Sequence, residues 1–208
     1  MIDFERDIMK LQYYIRRIKE KYKIRKVSKY IDLSNITLLS QNCIGGVMYH
    51  DCNAKFLTPT VNLYILPSDF IKFVNNYEAY LSETPELTMG ENYPIGYLSD
   101  GLQINFMHYE TSQEALDKWE SRKQRVNKEK IFVICIERDG FNDEHYKEFK
   151  KIKYPKALFT IRKEWSDDPE CIYIPKFKNQ EQVPDIIPGR YMYYKNKLPQ
   201  LIKKAFDK

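Results

Sequence analysis

The chain is poor in glycine and histidine, and no apolar run in it is long enough to cross a bilayer. Seven of its 208 residues are Gly and three are His. The signatures that depend on such residues are missing: there is no Walker loop, no G-x-G-x-x-G, no D-x-D and no H-x-x-x-x-D. The usual sequence grounds for nucleotide binding, metal-dependent glycosyl transfer and acyl transfer are therefore lacking. The cysteines, Cys43, Cys52, Cys135 and Cys171, show neither C-x-x-C pairing nor His/Cys ligand spacing. That pattern argues against a zinc framework and for a reducing compartment, and no metal is expected. The longest uncharged stretch, residues 33–50, is interrupted by Ser, Asn, Gln and Gly. The first residues carry acids where an export signal would be basic and then apolar. A cytoplasmic location is the expectation.

What is present is lysine-rich charge, unevenly placed. The net charge is +5, and residues 1–30 hold ten Lys/Arg against Asp3, Glu5, Asp7 and Glu20, a local +6 that leaves the remainder near neutrality. A general nucleic-acid binder would gather far more positive charge on its main fold, so nucleic acid is not an expected partner. Seventeen Tyr and eleven Phe would suit stacking on sugars, but in a chain this rich in Lys, Ile and Asn they read first as base composition. Within the basic segment Phe4, Ile8, Leu11, Ile15, Ile18 and Tyr22 recur at alternating spacings of four and three. This is one stripe of an amphipathic helix. Its ordinary destination is the core; the alternative is an anionic membrane surface at the cytoplasmic face.

Downstream the pattern reads strand 36–40, short helix 45–52, strand 61–66 and helix 67–81, a β-α-β-α series. Residues 93–98 and 102–106 flank Ser99-Asp100-Gly101 and predict an antiparallel hairpin. A helix from Ser112 precedes Ile131-Phe-Val-Ile-Cys-Ile, a run typical of a central strand buried on both faces. Helix 143–151 and strand 157–161 follow, then a Pro-interrupted segment with a short strand at 171–174 and a helix from Pro199. The expected fold is a layered α/β/α structure with a mixed, mostly parallel sheet and an N-terminal amphipathic helix. Residues 1–30 form that helix, 31–165 the α/β core, and 166–208 a segment packing on it.

In α/β sheets ligands bind beyond the carboxyl ends of the parallel strands, which directs attention to the polar residues just after each one. After the first strand come Ser40, Asn42 and Cys43, then Gly45 and Gly46, which open a helix whose free N–H groups would favour negative charge. The next run contains Asn62, the hairpin ends in His108-Tyr109, the central strand ends in Glu137-Arg138-Asp139-Gly140, and the later one in Thr160-Ile-Arg162. Asp139 or His108 would serve as general base, and Cys43 at a helix N-terminus as a nucleophile. Each also has an ordinary explanation: a turn carboxylate, a structural His, a buried inert thiol. His50 is too far along its helix to partner Cys43, and His145 reads as solvated. Trp119, Arg122 and Arg125 share a helix face that would offer an aromatic wall and two guanidiniums to an anionic donor, although a solvated basic face with Trp119 in the core explains them as well. Ser40, Asn42, Gly45, Gly46, Asn62, Arg122, Arg125 and Arg138 are the candidate substrate-binding residues.

Ser40-Gln-Asn-Cys-Ile-Gly-Gly-Val-Met-Tyr-His-Asp51, Phe56-Leu-Thr-Pro-Thr-Val-Asn62, Asp69-Phe-Ile-Lys-Phe73, Pro94-Ile-Gly-Tyr-Leu98, His108-Tyr109 with Trp119, Arg122 and Arg125, and Phe132 through Gly140 follow in order. At these residues the chain resembles a bacterial family of unknown-function domains described as exopolysaccharide or capsular polysaccharide biosynthesis proteins. The resemblance covers roughly residues 36–162 and implies an α/β fold and a role in building surface polysaccharide; it brings no catalytic residues with it. Asn42-Cys43 also resembles the opening of cysteine variants of small esterase-like acyltransferases, although the C-terminal D-x-x-H of that pattern is missing. The expectation is a cytosolic transferase moving a glycosyl, acyl or phosphoryl substituent from a nucleotide-sugar or acyl donor to a sugar or sugar-phosphate acceptor. A non-catalytic sugar-binding or assembly subunit, with membrane-surface contact through the first helix, and a hydrolase using Cys43 or Ser40 remain alternatives.

Overall fold

A computed structural model describes residues 2–184 and 191–207, with the backbone alone for 2–10, 16 and 23. In chain order, helix α1 (Ile2–Tyr30) leads to strand β1 (Thr37–Ser40) and helix α2 (Ile44–Asp51). Helices α3 (Pro67–Asn75) and α4 (Tyr77–Ser82) precede strands β2 (Glu86–Met89), β3 (Pro94–Tyr97) and β4 (Gln103–Asn105). Helix α5 (Ser112–Lys123), strand β5 (Ile131–Ile136), helix α6 (Asp143–Lys151), strands β6 (Lys156–Thr160) and β7 (Cys171–Tyr173), and helix α7 (Lys197–Phe206) complete the order.

The main sheet runs β1-β5-β6-β7 and all its pairings are parallel, with Thr37 opposite Ile131, Val133 opposite Lys156 and Leu158 opposite Cys171. Both faces are covered. Ile131, Val133 and Cys135 of β5 enter one core with Phe73, Phe106, Trp119 and Phe149, which α3, the small sheet, α5 and α6 supply. Phe132, Ile134 and Ile136 enter the other with Ile44, Met48, Leu198 and Ile202 from α2 and α7. The alternation of side chains along a strand thus builds the α/β/α layering that the continuous apolar run predicts.

The predicted hairpin is β3–β4, extended by β2 into a separate antiparallel sheet, β2-β3-β4. Residues 61–66 differ from expectation. They form no strand of the main sheet, and Tyr64 makes only an isolated antiparallel bridge to Asn105. The expected helix 67–81 is two helices, broken at Asn76, whose φ of −128° leaves the helical region. Helix α1 also departs from its pattern. Leu11, Ile15, Ile18 and Tyr22 are 61%, 43%, 67% and 70% exposed, whereas the buried residues at its end are Val27 and Ile31. At 3.6 residues per turn these two lie about 140° and 180° around the helix from Tyr22, so the helix docks by the face opposite its apolar stripe. Phe4 and Ile8 lie outside the described side chains. Among the described residues no helix is long and apolar enough to cross a membrane.

His145, expected to be solvated, closes the N-terminus of α6. Asn142 accepts from the Glu144 and His145 N–H groups, His145 Nδ1 accepts from the Asn142 N–H at 3.2 Å, and Nε2 lies 2.7 Å from Ser68 Oγ. This capping box needs an unprotonated Nδ1. Burial lowers the imidazole below its ordinary value of 6.5. The folded state therefore favours the neutral ring: its stabilising contribution is complete above about pH 6.5 and is lost as pH falls through the lowered folded-state value. His145→Gln keeps a cap acceptor without a titrating ring. Urea denaturation between pH 7.5 and 5.5 should show the natural protein losing up to about 1 kcal/mol relative to this variant.

Candidate functional site

Strand β1 exits into α2 on one side of the sheet, and its neighbour β5 exits into α6 on the other. Adjacent parallel strands whose connections leave on opposite sides open a crevice at their carboxyl ends, where ligands bind in open α/β sheets. Gln41 closes the floor of this crevice. Its N–H donates to Ile134 O, its side-chain Oε1 accepts from Ile136 N–H, and its carbonyl accepts from Ile65 N–H.

The β1 side carries Ser40, Asn42, Cys43, Gly45 and Gly46. Ser40 Oγ donates to Asn42 O at 2.7 Å and accepts from Gly45 N–H at 3.1 Å; Asn42 Oδ1 accepts from Ile44 N–H at 3.2 Å. Two N–H groups at the start of α2 are thus bound by the chain's own side chains. The glycines serve close packing, since a Cβ on Gly45 would stand 2.6 Å from Ser40 Oγ and one on Gly46 would stand 3.0 Å from Val61 Cγ1. Cys43 is buried at the N-cap of α2 and forms no disulfide.

Arg122 is also buried, although the sequence allowed a solvated basic face. Its guanidinium donates to Val61 O at 3.2 Å and to the Tyr109 hydroxyl, and packs 5.2 Å from the Phe56 ring centre. Tyr109 donates to the same Val61 carbonyl at 2.8 Å. Burial raises the Tyr109 phenol above its ordinary value; Arg122 opposes that shift, and Glu114 and the Cys43 thiol are close enough to bear on it. Cys43, Val61, Tyr109 and Arg122 therefore form one neighbourhood. Asn62 adjoins it in the left-handed region, with φ 64°, and its carbonyl accepts from the N–H of exposed His108 at 3.3 Å. Arg125 stands apart, bonded to Ser121 Oγ at 2.7 Å, and Trp119 lies in the core with Phe73 and Phe106.

On the β5 side Arg138, Asp139, Gly140 and Phe141 make a tight turn. Asp139 and Gly140 have φ of 56° and 87°, and Phe141 N–H donates to Arg138 O. Successive positive φ values are the demand of a type I′ turn, which Asp-Gly meets best. Asp139 is exposed, 3.3 Å from Arg138 Nε, and its N–H donates to Gln182 Oε1. Its charge also reaches Tyr64, whose phenol is pushed up to about 12, mainly by burial and by the hydrogen bond to Tyr93. Asp139 and Tyr64, in the loop that carries Asn62, are thus near enough to interact electrostatically.

Glu137 and Arg162, two strand-end residues from β5 and beyond β6, turn out to be partners. The buried Glu137 carboxylate accepts from Thr160 Oγ1 at 2.6 Å, Ile161 N–H at 2.9 Å and Arg162 Nε at 2.8 Å. Arg162 also reaches Asp143 at 2.8 Å and lies 4.7 Å from the Trp165 ring centre. Beside them opens a pocket of ≈ 410 Å³ lined by Glu137, Arg162, Lys163, Tyr173, Lys178 and Glu181. Lys163, Tyr173, Lys178 and Glu181 were not singled out from sequence, because no motif marks them and their only signal is position beyond the strand expected at 157–161. Among the described residues no group of three or more His, Cys, Asp or Glu could hold a metal ion.

The chain belongs to the family described as a domain of unknown function, DUF1919, whose model matches residues 13–205. It is also similar to an uncharacterized protein of Haemophilus influenzae strain KW20 Rd, 32% identical over 163 residues that make up 78% of this chain and 79% of that one. Neither match names a substrate or a reaction.

The polar packing around β1 sets two expectations for denaturant unfolding. Gly45→Ala should cost about 1–3 kcal/mol by overpacking, and adding Ser40→Ala, which removes the nearest atom, should recover part of that loss. Arg122→Gln should cost about 1.5–3 kcal/mol by breaking charge-assisted bonds to buried acceptors, whereas Arg125→Gln should stay within about 0.5 kcal/mol of the natural protein.

Proposed function

We propose that this protein is a transferase of bacterial surface-polysaccharide biosynthesis, moving a glycosyl, acyl or phosphoryl substituent onto a sugar acceptor at the carboxyl edge of its parallel sheet. The observation that carries the reading is the crevice between β1 and β5, where exposed Asp139 follows the end of β5, with a pocket beside it that Arg162, Lys163 and Lys178 share with Glu137, Glu164 and Glu181. The polysaccharide role rests on the family resemblance of residues 36–162.

The roles follow from which polar groups still have capacity. Asp139 or His108 activates the acceptor hydroxyl, since both side chains reach solvent. Donor phosphate falls to Lys163 and Lys178 of the pocket and to Arg138, rather than to Arg122, engaged with Val61 and Tyr109, or Arg162, engaged with Glu137 and Asp143. Ser40 is fully buried and its hydroxyl is committed, which disfavours it as a hydrolytic nucleophile and leaves Cys43 as the covalent candidate. The binding or assembly reading draws its support from the same commitments: Ser40, Arg122 and Glu137 all spend their hydrogen bonds on the protein itself.

Thermal stabilisation against nucleotide sugars, sugar phosphates and acyl-coenzyme A tests the reading, because a ligand at 100 times its Kd adds about 2.7 kcal/mol. With the stabilising donor in hand, Asp139→Asn or His108→Ala should lower turnover on the order of 10² or more while Cys43→Ala stays near normal. Abolition by Cys43→Ala alone would instead establish a covalent acyl route. Full activity in all three variants, or no stabilisation by any donor class, would sink the transferase reading.

A further inference from the structure

The apolar stripe of α1 has a period of its own. Phe4, Leu11 and Ile18 alternate with Ile8, Ile15 and Tyr22 at spacings of four and three, the a/d repeat of a coiled coil, and the repeat ends at Arg25 and Lys29. It spans about 27 Å of helix, at 1.5 Å per residue. Every described member is exposed, and the helix is held to the core by Val27 and Ile31 on its opposite side. A helix meant for a sheet face carries a broader apolar surface, extended into e or g positions. Here the flanking positions are polar or aromatic: Glu5, Gln12, Lys19 and Lys26 at e, and Asp7, Tyr14 and Lys21 at g.

We infer that the stripe is the seam of an antiparallel two-helix coiled coil with a second copy of this chain. Charge selects both partner and direction. Antiparallel layers of Phe4 with Tyr22, Ile8 with Ile18 and Leu11 with Ile15 bring e opposite e and g opposite g. In that register Glu5 faces Lys19 of the second copy and Asp7 faces its Lys21, while Gln12 and Tyr14 meet their own equivalents. Every flanking contact is then either oppositely charged or neutral. A parallel pair would set Lys21 against Lys26, a like-charge contact, and would leave the acidic N-terminal turns of both copies together. An anionic membrane would attract the basic end but repel Asp3, Glu5 and Asp7. At the basic end the stripe opens on a groove of ≈ 690 Å³ between α1 and residues 191–196, lined by Ile18, Tyr22, Lys26, Tyr191 and Tyr194. Ile18 and Tyr22 stay exposed beside that groove, whose far wall is the chain's own residues 191–196.

Sedimentation equilibrium of the full chain should give a dimer at micromolar concentration. Ile15→Glu, at an exposed position, should leave a folded monomer. Glu5→Lys with Asp7→Lys should weaken the dimer about ten-fold or more, since two contact types each occur twice. Adding Lys19→Glu with Lys21→Glu to the same chain should restore it. For direction, Ile8→Cys and Ile18→Cys proteins should form an intermolecular disulfide when mixed and not when oxidised separately. The inference is overturned by a monomer at about 100 μM, by a dimer indifferent to Ile15→Glu, or by Ile8→Cys linking to itself. A monomer that floats with anionic vesicles through this helix would give the stripe to a membrane instead.

Discussion

The parallel pairing of β1 with β5 is the contact on which the rest of the structure depends. The two strands lie side by side in register from Thr37 with Ile131 to Ser40 with Ile134, yet everything from α2 to α5 separates them in the chain. Closing so long a loop is entropically costly, though the cost grows only slowly with length, and it must be offset by contacts made after closure. Those contacts are the cores on the two faces of the sheet. The excursion leaves through α2 into one core and returns from the opposite one, where Phe73, Phe106 and Trp119 pack edge to face. The crevice at the carboxyl end is a by-product of that route: two adjacent strands send their chains to opposite sides, and Gln41 fills the gap with three hydrogen bonds.

Elements whose local chemistry is self-sufficient were legible in the sequence. The six apolar residues of β5 need two covering layers whatever surrounds them, and α6 spans the residues expected, although the part His145 plays in its cap was not read from them. Residues 61–66 misled because β propensity reports only fitness for a pleated, half-buried surface. That loop is buried, with Val61, Leu63 and Ile65 in contact with solvent to 1% or less, but its backbone partners are Gln41, Asn105 and His108 rather than a sheet neighbour. Strand β2 was invisible for the opposite reason: Glu86, Thr88 and Met89 are exposed, so the apolar alternation that marks a strand is missing.

The carboxyl edge of the sheet was legible in the sequence, and the engagement of the polar residues along it much less so. Strand ends can be placed from apolar runs, so the sheet edge could be anticipated. Which of its polar groups are spent on the fold depends on contacts between distant segments, and a buried donor or acceptor without a partner is too costly to persist. The deepest residues are accordingly the most committed. Ser40 is bound to Asn42 and Gly45, Arg122 to a main-chain carbonyl 61 residues earlier, and Glu137 to three donors around β6. A backbone carbonyl such as that of Val61 carries no sequence signature, so the engagement of Arg122 could not be read in advance. The same accounting sorts the exposed candidates. Asp139 is required by its turn only as a residue tolerant of positive φ, which leaves its carboxylate, weakly paired to Arg138, with lone pairs to spare.

Helices α1 and α7 show how far periodicity alone carries an argument about burial. Helix α7 turns Leu198, Pro199 and Ile202 into the core and keeps its lysines outside, as an amphipathic surface helix should. Helix α1 has an equally regular stripe and keeps its described members out, anchored by its last turn. Spacing fixes which residues share a face; it does not say what that face meets. The difference lies in the flanks. A helix lying on a sheet needs apolar width, and one lying on another helix needs a narrow seam with charges on either side that choose the partner's direction. In α1 the acids precede the bases along the seam, so the helix is complementary to its own reverse.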